Sequence, residues 1–91
     1  MSEFVHDNIT LNRFELEVDG GTAVANYRRS PGVITFTHTE VPSELAGRGI
    51  GSQLARGALD AVRAQGLKVV AKCPFISSFL GKHPEYNDLL G

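Results

Sequence analysis

The sequence predicts a mixed α/β fold of the α+β kind: an antiparallel three-strand meander, a βαβ crossover to a parallel fourth strand, then short C-terminal helices. Three observations predict it. Three segments between residues 13 and 41 carry strand patterning and are separated by clusters of turn residues. One long segment from residue 50 repeats its apolar residues at helical spacing. A short apolar run, Leu67 to Lys72, follows that helix at once. It must therefore return to the sheet parallel to the third strand, through a right-handed connection.

In chain order, Met1 to Leu11 has mixed character and reads as a loosely held edge leading into the fold. Arg13 to Val18 alternates cleanly, placing Phe14, Leu16 and Val18 on one face of a half-buried strand. Asp19-Gly20-Gly21 makes a turn, and Thr22 to Arg29 follows with Ala23, Ala25 and Tyr27 aligned. Ser30-Pro31-Gly32 makes the next turn, because Pro fixes φ and Gly accepts a positive φ. Val33 to Val41 is the third strand, rich in β-branched residues; strict alternation sets Ile34, Phe36, His38 and Glu40 on one face. Pro42 and Ser43 end it. From Ile50, Leu54, Ala58, Ala61 and Val62 form an apolar stripe opposite Gln53, Arg56, Asp60 and Arg63. Gly66 closes the helix. After the fourth strand, Cys73-Pro74 stops the chain where the third strand also ends. Phe75 to Lys82 is a short helix closed by His83-Pro84, and Glu85 to Leu90 packs Tyr86, Leu89 and Leu90 in a last turn.

A chain of 91 residues is expected to be one domain, residues 1–91, burying only about 60–65% of its unfolded surface. Net charge is −1 and the nine basic residues are scattered, so no field for gripping nucleic acid is expected. No apolar run reaches the ~18 residues of a membrane span, and no secretory leader is read at the start. The single Cys73 makes no internal disulfide and excludes an all-cysteine zinc site; the expected setting is the cytoplasm, as a monomer or weak dimer.

The chemistry concentrates in Glu44 to Leu54, where glycines at 47, 49 and 51 leave the backbone bare just as the helix starts. A helix start offers free N–H groups and partial positive charge, which attract phosphate. Known phosphate loops fit poorly. Gly47-x-Gly49-x-x-Ser52 lacks the third glycine of a dinucleotide fingerprint, and no Gly-Lys-Ser/Thr follows. A glycine-rich turn that only caps a helix is the plain alternative.

Gly47-Arg48-Gly49-Ile50-Gly51, leading into Leu54, resembles motif A of the GNAT superfamily of N-acetyltransferases. That motif, Arg/Gln-x-x-Gly-x-Gly/Ala, binds the pyrophosphate of acetyl-coenzyme A. Its glycines map onto Gly49 and Gly51; Ala46 stands at its first position, with Arg48 as the substitute cation. Cys73-Pro74-Phe75 with His83-Pro84-Glu85-Tyr86 is similar to the minimal single-domain GNAT-like subfamily. The resemblance implies acetyl-coenzyme A or coenzyme A as ligand. It implies contacts from Val41, Gly47, Arg48, Gly49, Ile50, Gly51, Ser52, Cys73, Phe75, Lys82 and His83. It also implies acetyl transfer to an amine. The helices that usually wall the acceptor site between the first two strands are absent, so an open site suited to a protein or peptide amine is expected. The rival expectation is a non-catalytic coenzyme A-binding sensor or interaction module.

Acyl transfer needs a neutral amine, and a lysine of pKa ~10.4 is only about one part in a thousand neutral at pH 7.4, a handicap of roughly 4 kcal/mol. His38 and Glu40, with His83 further off, are the candidate proton handlers; the other reading leaves them solvated at a strand end. Cys73 has two readings as well. It is a nucleophile that carries the acetyl group, or a half-buried lining of the pantetheine channel. Phe79 falls where the family usually places the tyrosine that protonates the leaving thiol.

Overall fold

The computed structural model describes residues 5–18, 21–43 and 49–90. Its sheet has five strands in sequence order: β1 (Val5–Asn8), β2 (Arg13–Val18), β3 (Gly21–Ser30), β4 (Val33–Glu40) and β5 (Lys68–Ala71). The first four pair antiparallel and β5 joins β4 in parallel. Helix α1 (Ile50–Ala64) makes the crossover, α2 (Pro74–Lys82) follows β5, and a 3-10 helix (Pro84–Leu89) completes the chain. This is the expected α+β architecture with one more strand. The mixed segment before residue 11 supplies that strand, at the sheet's edge.

The core forms where period-two faces meet helical stripes. Phe14, Leu16, Ala23, Ala25, Tyr27, Ile34, Phe36 and Val69 share one face of the sheet and are buried there against Leu54, Ala55, Ala58, Leu59 and Val62 of α1. Ile76, Phe79 and Leu80 of α2 join the same cluster, so both helices clothe one side. The other side carries His6, Glu15, Asn26, Arg28, His38, Glu40, Val70 and Lys72. Among the described residues no helix covers it, a tolerable state for a largely antiparallel sheet. No helix there is long and apolar enough to cross a membrane.

Gly66 ends α1 as expected. At φ 73° it lets its own N–H reach Arg63 O (3.0 Å) and the Leu67 N–H reach Val62 O (3.2 Å), which satisfies the last carbonyls. Edge strand β1 is held from two distant places. A Cβ on Gly57 would stand 2.5 Å from Val5 Cγ2, so this glycine lets α1 lie directly on the strand. The Tyr27 hydroxyl donates to Asp7 Oδ1 at 2.6 Å across the same face.

One local expectation is overturned. Tyr27 pairs with Phe36 but Asn26 pairs with His38, so Thr37 is an extra residue in β4, a β-bulge. The alternation changes phase there. Thr39, opposite buried Ala25, continues the core face, while His38 and Glu40 turn to the uncovered side, away from Ile34 and Phe36.

Candidate functional site

The bulge coincides with the place where β4 and β5 separate. Parallel pairing ends at Phe36–Ala71; the N–H groups of Lys72 and Cys73 both donate to Phe36 O at 3.0 Å, and the chain then leaves for α2. Strand β4 runs on to Glu40 without its partner, and the two strands splay. Across the gap, the Thr39 hydroxyl lies 3.1 Å from Cys73 Sγ. Cys73 is buried as the residue capping α2, and Thr39 is its hydrogen-bond partner among the described residues. Val41 packs against the core just beyond β4.

Helix α1 begins beside this gap. Gly49 takes φ 74° and ψ 12°, a left-handed geometry, and its carbonyl accepts the first helical bond from Gln53 at 3.0 Å. The N–H groups of Ile50, Gly51 and Ser52 precede that bond. Among the described residues no side chain caps them, and the first turn contains no acidic residue. Gly51 has a separate reason to be bare: a Cβ there would stand 2.7 Å from the ring of Phe75 at the start of α2. That contact locks the two helix starts together. Gly47 and Arg48 lie outside the described residues.

Ser52, Phe75, Ser78, Phe79, Lys82 and His83 line a recess of about 100 Å³ between the two helices. The structure thus brings together four residues expected around the ligand, Ser52, Phe75, Lys82 and His83. Ser78 is an addition that helical spacing from Phe75 and Lys82 could have revealed. Arg56, one turn after Ser52, anchors the far wall. Its guanidinium lies 3.5 Å from each of His83 Nδ1, the Tyr86 hydroxyl and Glu85 Oε2, and sits over the rings of Phe79 and Tyr86. His83 stacks on Phe79 with ring centroids 4.0 Å apart. A backbone N–H, then His83 and Arg56, holds the Glu85 carboxyl below its ordinary pKa. Burial, then the hydrogen bond to Asp60 (2.8 Å), pushes the Tyr86 phenol up.

His38 and Glu40 form a pair, Nε2 to Oε2 2.9 Å, on the uncovered side of the sheet. Both are about two-thirds exposed. They are therefore separated by the sheet from the face that holds Thr39 and Cys73. Thr39 was hidden from sequence reasoning because strict alternation assigns it to the wrong face.

A family model described as GCN5-related N-acetyl-transferase matches residues 13–89. The NMR solution structure of a GCN5-like putative N-acetyltransferase from Staphylococcus aureus superposes with a TM-score of 0.71 and 31% identity, covering 88% of this chain and 81% of that one. Protein NATD1 from Homo sapiens is 38% identical over 52 residues, 57% of this chain and 46% of its own length. The Danio rerio protein is 38% identical over 55 residues, 58% and 50% respectively. The matches thus span about half the length of these curated relatives.

Proposed function

This chain belongs to the GCN5-related N-acetyltransferase family, and from that premise we propose that it binds acetyl-coenzyme A and transfers the acetyl group to an amine, of a protein or peptide. The observation that carries the reading is the start of α1. Three N–H groups, with no side-chain cap among the described residues and no acidic residue in the first turn, open beside a splayed pair of strands. The residues present fit the ligand. The amides of Ile50, Gly51 and Ser52 suit a diphosphate, Val41, Thr39 and Cys73 suit a narrow arm between β4 and β5, and Lys82 and His83 suit the nucleotide end. Each helix-end contact contributes only about 0.3–2 kcal/mol, so several must act together.

The thioester supplies the activated acetyl group; this chain's residues orient it and move a proton. His38 Nε2 and Glu40 Oε2 stand 2.9 Å apart at the β4 end, on the side that no helix covers among the described residues, and this pair is the candidate to take the proton of the amine. An amine arriving from that side meets the pair before it meets the gap. Burial and the Thr39 hydrogen bond favour Cys73 as channel lining over nucleophile, since no base accompanies the thiol among the described residues.

One observation favours the second reading, a coenzyme A-binding module without turnover. Phe79 brings no hydroxyl to the leaving thiol, and the Tyr86 hydroxyl is bonded to Asp60. Titration calorimetry with coenzyme A, followed by thiol release across amine acceptors, tests both. Binding with acceptor-dependent thiol release supports the enzyme, binding alone supports the module, and no binding refutes the proposal.

A further inference from the structure

Strand β5 is the last of the sheet, and its outer edge is only half used. The N–H groups of Lys68 and Lys72 donate inward, to Gly32 O (2.9 Å) and Phe36 O (3.0 Å). Alternation therefore turns the N–H and carbonyl groups of Val69 and Ala71 outward. Leu90 forms a parallel bridge with Val69, while Ala71 has no backbone partner on that side among the described residues. Beside it a groove of about 480 Å³ runs between the β5 edge and α2, and Val70 and Leu90 are large apolar side chains exposed there. Its α2 wall is Ser77, Leu80 and Gly81, which helical spacing sets opposite Phe75, Ser78, Phe79 and Lys82, so the groove is separate from the recess beside α1. Gly81 stands inside α2, where glycine weakens a helix, yet a Cβ on it meets no heavy atom of the described residues within 4 Å. Packing among those residues does not require it; close approach of another backbone along the groove does.

We propose that this groove takes an extended segment of a partner protein, added to β5 beside Ala71 as a further strand, in which apolar residues alternate with Asp or Glu. Strand addition follows from the unpaired edge at Ala71. The period of two follows from the pleat. One set of side chains enters the groove against Leu80, Leu90 and the bare Gly81; the other stands on the uncovered side of the sheet, beside Val70 and Lys72. Charge selects the acidic residues. Lys72 is exposed at one end of the edge. At the other, Lys68 Nζ donates to the neutral Asp88 O (2.7 Å), while the Asp88 carboxylate is bonded to Arg63 (Nε to Oδ2 3.1 Å). The same lysines disfavour a second copy of this chain as the occupant. Two β5 edges paired antiparallel about Val70 set Lys68 of each copy opposite Lys72 of the other, like charges on one face.

Panning a displayed library of random peptides of about eight residues against the full chain, then titrating the enriched peptide by fluorescence anisotropy, tests this. Enriched sequences are expected to alternate apolar residues with Asp or Glu. Affinity should fall about tenfold in Lys72→Glu and should fall as salt is raised. Gly81→Leu fills the groove and should weaken binding about tenfold or more. Its urea midpoint should hold or rise, because leucine is the better helix former. Hydrogen exchange at the Ala71 amide should slow in the complex, which side-chain contact alone does not give. Basic or uncharged enriched peptides, equal affinities of Gly81→Leu and wild type, or unchanged Ala71 exchange overturn the proposal. So does a library that yields no enriched peptide, or a dimer in sedimentation that Gly81→Leu disperses, since a second copy then holds the groove.

Discussion

Replacing Gly49 by alanine isolates the backbone requirement at the start of α1. The residue sits at φ 74°, ψ 12°, and a Cβ added there meets no heavy atom of the described residues within 4 Å. The described residues offer no collision, and the expected cost is that of a left-handed L-residue, about 1–2 kcal/mol. With a urea slope of about 1 kcal/mol/M for so small a domain, the unfolding midpoint should fall by about 1–2 M. Gly49→Asn, whose short polar side chain tolerates that conformation, should lose clearly less. Equilibrium urea unfolding followed by circular dichroism reads both variants. Equal midpoints for wild type and Gly49→Ala would refute the conformational argument. A loss well above 3 kcal/mol would show that the added methyl does meet neighbours.

Other perturbations probe the remaining supports. Gly57→Val forces β1 from α1, since even a Cβ stands 2.5 Å from Val5. About 1–3 kcal/mol should be lost, and hydrogen exchange at β1 amides should rise before that of β3; unchanged β1 protection contradicts the contact. Cys73→Ala should retain acetyl transfer at a stability cost of about 1–2 kcal/mol, because Thr39 loses its partner. An acetyl adduct on Cys73 in intact-mass spectra, with turnover abolished in the variant, would reverse the lining assignment. Asp88 is held below its ordinary pKa first by hydrogen bonding to Arg63 (Nε to Oδ2 3.1 Å). A lowered folded pKa stabilises above the unfolded value near 3.9 and is lost as pH falls through the folded one. Acid unfolding of Asp88→Asn should accordingly show a shallower pH dependence below about pH 4 than wild type.

Helix α1 was legible because its buried residues recur at helical spacing and a left-handed glycine closes it, both local properties of the chain. Strand β1 was not. Val5-His6-Asp7-Asn8 holds one strongly apolar residue, and its supports, Gly57 and Tyr27, lie far away in sequence. The phase change in β4 was equally hidden: Thr35-Phe36-Thr37-His38-Thr39 alternates without fault, and the extra residue exists only relative to β3. Ser52, Phe75, Lys82 and His83, expected around the ligand from resemblance, line one recess, whereas the contact of Arg56 with His83 reaches across the helix layer and leaves no mark in the sequence.

A sheet dressed on one side only has a mechanical consequence for whatever approaches its naked side. The described residues raise no rim to enforce a maximum diameter, so a folded macromolecule and a free diamine meet the same plane near Glu40. Discrimination by exclusion is then unavailable to the described part of the chain. Selectivity for an acceptor must come from attraction, through the polar groups that plane displays, or from walls that a second molecule brings with it.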